Sequence, residues 1–127
     1  MTDPFRILVT GSRDWTDRAT LYGALNMYAS ADELQQPITV IHGDCATGAD
    51  AMAETWALTR RVAVIRHPAK WREHGVYNPQ AGLARNRLMV ELGADVCLAF
   101  IKNGSRGASH CARLAEEAGI PTRRYVA

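Results

Sequence analysis

Lysine is scarce in this chain of 127 residues: Lys70 and Lys102 stand against 13 arginines. Arginine is the better bidentate partner for phosphate and carboxylate, although genome base composition can produce the same ratio. A formal net charge of +2 is too small to indicate a nucleic-acid protein, and no basic stripe with interleaved aromatics runs along the chain. Nucleic-acid partners are therefore not expected. No apolar run approaches the roughly 18 residues a membrane helix needs, so no membrane partner is expected either. The cysteines, Cys45, Cys97 and Cys111, are odd in number and lack paired metal spacing. They fit a reducing compartment and ordinary half-buried thiols. The opening "MTDPF" has no basic start and no signal-like apolar run, so a cytoplasmic protein is expected. Internal repeats and low-complexity segments are absent. What remains is ordinary globular composition, 47% apolar and 22% charged, expected to form one domain over residues 1–127.

Short apolar, β-branched runs alternate with segments of helical period. The strands are "RILVT", "PITVIHG", "VAVIRHP", "DVCLAFI" and "PTRRYVA". Between them, "DRATLYGALNMYAS" places Leu21, Leu25 and Tyr28 on one helical face with Asp17 or Thr16 as cap. "TGADAMAETWALTRR" gives a second helix. "NPQAGLARNRLMVELGA" gives a third, carrying Leu83, Leu88 and Leu92 and stopped by Gly93. "SRGASHCARLAEEAG" gives a fourth, ended by Gly119 and Pro121. Most strands read as apolar runs rather than alternating patterns, which argues burial on both faces. The expected architecture is α/β: a three-layer, Rossmann-like, parallel five-stranded sheet in the order 3-2-1-4-5. One irregular stretch, residues 67–79, is long enough to be functional or mobile.

Ligands of such sheets sit beyond the carboxyl ends of the strands where the order reverses, here between the first and fourth strands. The loops "GSRDW", "GDCATGAD" and "KNGSRGAS" all lead to that edge, as does the start of the third helix with Arg85 and Asn86. Gly11 permits a tight turn, Ser12 and Arg13 can hold phosphate, and Asp14 can orient Arg13 or bind a sugar hydroxyl. A helix entry with a solvated Arg-Asp pair explains the same residues. Asn103, Gly104, Ser105, Gly107 and Ser109 form a Gly-bracketed helix N-terminus suited to an anion, or a Gly-rich turn with a serine cap. Gly43 and Gly48 let a ligand approach the backbone, and Asp44 can take sugar hydroxyls. Asp50 has two readings: a ligand contact, or the end of a Thr47-x-x-Asp50 capping box. Trp15 and Trp71 are candidates for base stacking; Trp71 and Tyr77 can equally cover the sheet edge. The four histidines, His42, His67, His74 and His110, show no metal spacing. Neither a metal nor another cofactor is expected.

The segments "VTGSRDW", "HGDCATGADAMAETWA", "AGLARNRLM" and "ADVCLAFIKNGSRGAS" together resemble the YspA-like branch of the SLOG superfamily. That superfamily also holds the LOG-type nucleotide phosphoribohydrolases and the DNA-processing protein A. The resemblance runs from about Ile7 to Gly119 and implies a Rossmann-like fold that binds nucleotides or nucleotide-derived signals. The LOG pattern reads Arg-Lys-x-x-Met and, after a strand, Pro-Gly-Gly-x-Gly-Thr-x-x-Glu. In "RNRLM", Arg85 and Met89 match it and Asn86 replaces the Lys. In "NGSRGASHC", Gly104 and Gly107 match, Ser105 and Ala108 depart, and Cys111 replaces the Glu. The resemblance implies that this Glu and the Arg act on the N-glycosidic bond in LOG enzymes. A thiol does not readily do a carboxylate's work there.

Two functions follow as expectations. One is a non-catalytic or sensor-like module for a nucleotide-type small molecule. The other is an N-glycosidase that recruits Arg85 with Asp14, Asp44 or Asp50. By analogy with the superfamily, a homodimer is also an expectation.

Overall fold

The computed structural model describes residues 3–29 and 37–127; Ser30, the expected last residue of the first helix, lies outside them. Two strands buried on both faces form the centre: β1 (Phe5–Gly11) and β6 (Val96–Ile101). Ile7, Leu8 and Val9 are fully buried, as is almost all of β6. Strand β1 pairs in parallel with β6 on one side and with β2 (Ile38–His42) on the other. Outside these lie β3 (Ala63–Arg66) and β7 (Thr122–Val126), giving the parallel order β3-β2-β1-β6-β7. With a short hairpin set aside, this is the expected Rossmann-like order.

The alternation of side chains along the strands divides the core into two layers. Ile7, Val9, Val40, Leu98 and Phe100 face Leu21 and Leu25 of α1 (Arg18–Ala29) and Trp56 of α2 (Ala49–Thr59). Leu8, Ile41 and Cys97 face Met89 and Val90 of α3 (Ala81–Leu92) and Cys111 and Ala115 of α4 (Arg106–Glu117). Asp17 caps α1, accepting from the Thr20 N–H at 3.1 Å. Tyr28 is only half-buried and stacks on Phe5 at 5.5 Å. The edge strands are more exposed than the central pair: β3 exposes Ala63, Ile65 and Arg66, and β7 exposes Arg123, Arg124 and Val126, so each edge carries charge. Charge and polarity on an edge discourage pairing with another chain.

Two expectations are corrected. The buried face of α3 is Asn86, Met89 and Val90, whereas Leu88 and Leu92 are 46% and 54% exposed and Leu83 is half-buried. Asn86 can lie on that face because its amide donates to the Gly107 carbonyl at 3.2 Å and accepts from Arg85 at 2.9 Å. A polar residue satisfied in this way is tolerated where a leucine was expected. Within residues 67–79, β4 (Arg72–Glu73) and β5 (Val76–Tyr77) form a hairpin. Its connecting residues, His74 and Gly75, both have positive φ, 55° and 79°. That is the pattern of a two-residue type I′ turn, and an X-Gly pair was its sequence signal.

The α3 face is testable by urea denaturation. Met89→Ala is expected to cost about 2–5 kcal/mol. Leu92→Ala is expected to stay within about 0.5 kcal/mol. The reverse ranking would restore the leucine face.

Candidate functional site

The switch between β1 and β6 begins with a close approach of backbones. A Cβ on Gly11 would strike the Ala49 side chain and the Phe100 carbonyl. Gly48, at φ 77°, lies against the Ser12 and Arg13 backbone. These glycines let the N-terminus of α2 seat on the loop after β1, where the Ala49 N–H donates to the Ser12 carbonyl at 3.2 Å. Thr47 is drawn into the same contact, its hydroxyl donating to the Arg13 carbonyl at 3.0 Å. The expected capping box is therefore not formed: Gly48 caps α2 without a side-chain bond. Gly48 serves this backbone packing. Ser12 is also occupied, its buried hydroxyl accepting from the Lys102 N–H at 2.7 Å and donating to the Lys102 carbonyl at 3.3 Å. Trp15 is 3% exposed, packs on Phe100 at 5.4 Å and donates from Nε1 to the Asp17 carbonyl. It belongs to the core and offers no face to a base.

Beyond this junction opens a cleft of about 1040 Å³, at the upper end of small-molecule sites. Most of the residues marked out by sequence line it: Gly11, Arg13, Asp14, Gly43, Asp50, Trp71, Arg85, Asn86, Asn103, Gly104, Ser105, Gly107 and Ser109. Ser12, Trp15, Asp44 and Gly48 do not. At the rim Asn103, at φ 53°, donates from Nδ2 to Asp14 at 3.1 Å and joins the loops after β1 and β6.

Arg85 crosses the cleft. Its Nη1 donates to the Gly43 carbonyl at 2.6 Å and Nε donates to Asn86 at 2.9 Å. A Cβ on Gly43 would collide with the guanidinium, so that glycine makes room for Arg85. On the far wall, the Ser105 hydroxyl caps α4, accepting from the Ala108 N–H at 3.5 Å. The N–H groups of Arg106 and Gly107 have no acceptor among the described residues. A Cβ on Gly107 would meet nothing within 4 Å. The wall is cationic: Lys102, Arg106 and Arg113 join Arg13 and Arg85 around the cleft. Sequence reading missed these three and His110. Residues 106, 110 and 113 recur at helical spacing, one face of α4, and that period was the available signal.

Asp50 is the anomalous group. It is 5% exposed, and Oδ2 accepts from the Cys45 N–H at 3.3 Å. Oδ1 is buried without any partner. Burial pushes its carboxyl above the usual range, against smaller opposing effects from His42, Cys45 and Arg85. Burial and the Asp50 charge also raise the neighbouring Cys45 thiol. Cys111 lies beneath the cleft, fully buried, with its thiol pushed up to about 11 by burial. Its sulfur stays protonated at neutral pH and out of reach. His110 is shifted down, by burial first and then by Arg113 and Arg87. At the mouth Trp71 stands against Gly82, stacks on Tyr77 at 6.3 Å and lies 5.6 Å from the Arg13 guanidinium.

Asp44, exposed and at φ 58°, donates its N–H to His42 Nδ1 at 2.9 Å, outside the cleft. The His42 Nε2 faces Glu54 at 3.1 Å, and Glu54 also holds Arg66. Donor atoms of His42, Asp44 and Glu54 lie within 4.8 Å of one another. Both ring nitrogens and Glu54 are already engaged, so the trio is accounted for as a hydrogen-bond network. It fixes the strained turn after β2.

The buried charge on Asp50 predicts a stability effect. A carboxyl raised in the folded state lowers stability as pH climbs from its unfolded value through its folded one. Asp50→Asn should therefore stabilise the protein at pH 7.5 by on the order of 1 kcal/mol, or about 4 °C in melting temperature. The gain should shrink as pH falls towards about 4. A difference independent of pH would show that the charge is not its source.

The family of YspA, cpYpsA-related SLOG proteins matches residues 5–74. The gene 61 protein of Mycobacterium phage D29 is 46% identical over 128 residues, covering 94% of this chain and 95% of that protein. No solved structure matches. The match takes in the loops after β1 and β2 and all of α2, and the phage relative extends the likeness over α3 and α4. The chain belongs to the YspA, cpYpsA-related SLOG family.

Proposed function

We propose that the cleft binds a nucleotide or nucleotide-derived anion and that the protein is a binding or sensor module. One observation carries this reading: Arg13, Arg85, Lys102, Arg106 and Arg113 converge with the open N-terminus of α4 on a single cleft at the sheet's switch point. Unpaired N–H groups and the helix dipole favour an anion there. Arg85 is anchored through two of its nitrogens, a fixed orientation suited to planar recognition of phosphate. Trp71, half-exposed beside Arg13, supplies a flat surface for a base. The absence of a carboxylate at position 111, where the thiol is sealed beneath the cleft, supports binding without turnover.

A second reading, N-glycosidic hydrolysis, is favoured by the free oxygen of Asp50. Asp14 is engaged with Asn103, and Asp44 lies outside the cleft. Asp50 is thus the remaining carboxylate for that chemistry.

One experiment separates the two. Stoichiometric protein is mixed with nucleoside mono- and diphosphates, ADP-ribose, NAD and cyclic dinucleotides, ultrafiltered, and the filtrate read by mass spectrometry. Intact retention supports the binding module; a released base with ribose phosphate makes the protein a hydrolase. Passage of every compound through the filter sinks both readings. Gly107→Ala adds a test of place. It should gain about 0.5–1 kcal/mol of stability, because alanine favours the helix. Titration should show the retained anion at least about tenfold weaker, because the methyl enters the cleft. Equal affinity would move the anion away from α4.

A further inference from the structure

The cationic wall explains where an anion goes but leaves the buried oxygen at its floor unexplained. A carboxylate oxygen buried without a donor is costly, and each such group calls for an explanation. Asp50 begins α2, close to Cys45, and its Oδ1 has no partner among the described residues. With Asp50 ionised, the missing partner is a hydrogen-bond donor. The guanidiniums of Arg13 and Arg85 in the same cleft would repel a ligand cation, so that donor is neutral. In an anion carrying a sugar, hydroxyl groups are the neutral donors nearest the phosphate.

We infer that Asp50 is the hydroxyl-recognition group of the cleft, its free Oδ1 accepting from a ribose hydroxyl of a ligand whose phosphate sits at the N-terminus of α4. This rests on the anion-binding reading above and narrows it to ribosyl phosphates with free hydroxyls. A site built around a buried hydrogen-bonding group discriminates strongly against analogues that lack the matching group. The floor therefore supplies selectivity and the wall supplies charge. Asp50 acts here as a binding group, with no bond made or broken.

Titration calorimetry on the full chain tests the inference with AMP, 2′,3′-dideoxy-AMP, IMP and inorganic pyrophosphate. The wild type should bind AMP at least about tenfold tighter than the dideoxy compound. IMP should match AMP, because the base amino group is not the donor. In Asp50→Ala the ratio of AMP to dideoxy-AMP should fall to about 1, while pyrophosphate still binds and shows the cleft intact. If Asp50→Ala does not fold, the isosteric Asp50→Asn takes its place and should reduce the ratio at least threefold. A ratio that survives in the variant overturns the assignment, as does a wild type indifferent to the hydroxyls. Loss of affinity on passing from AMP to IMP would transfer the contact to the base and overturn it equally. Failure of the wild type to bind pyrophosphate and AMP alike would refute the anion reading itself. Binding of pyrophosphate with no hydroxyl preference would refute Asp50 alone.

Discussion

Everything at the functional edge depends on Ser12. Its N–H donates to the Phe100 carbonyl at 2.8 Å, its carbonyl accepts from the Ala49 N–H, and its hydroxyl bridges both backbone groups of Lys102. One small buried residue thereby ties the end of β1 to the loop after β6 and to the start of α2. Parallel strands diverge at a switch point because their crossovers leave on opposite faces. Here the divergence is held at a set width by bonds from a single side chain and its backbone. Gly11 and Gly48 make the knot sterically feasible, and Arg13 and Asn103 are presented from its two sides.

The architecture was legible because it rests on long-range regularities. Ile7, Leu8, Val9 and the run from Val96 to Ile101 are apolar at successive positions, which suits strands covered by helices on both faces. Once the strand order follows, topology alone delivers the three glycine-bearing loops to one edge. The roles of residues within those loops were not legible in the same way. Glycine, serine and tryptophan serve backbone packing and ligand contact equally well, and the choice depends on what comes near in space. Ser12, Trp15 and Gly48 went to packing, whereas Arg13, Gly104 and Gly107 line the cleft. The leucines of α3 misled in the other direction: Leu88 and Leu92 read as a buried face, yet Asn86, hydrogen-bonded on both sides, lies inward in their place. Arg106 and Arg113 were hidden by their ordinary appearance on a helix that also pairs Arg113 with Glu117 and Glu116 with Arg124.

Asp50 and Cys111 show two fates of polar chemistry beneath one cleft. The thiol is small, weakly polar and sealed among apolar neighbours, where a protonated sulfur costs little. The carboxyl is less well accommodated: Cys45 serves it through its backbone N–H and its thiol, and Oδ1 is left without a partner. A neutral side chain there is expected to raise stability at neutral pH, so the fold itself gains nothing from that charge.

The glycines of the site fall into two kinds, and the difference bears on how the lineage can drift. Gly11 and Gly48 answer to packing within the chain itself, so any descendant would have to keep them to fold. Gly107 has open space around it and sits in a helix, where almost any residue would do as well or better. Its retention or loss among descendants therefore registers whether the cleft is still in use, independently of whether the fold survives.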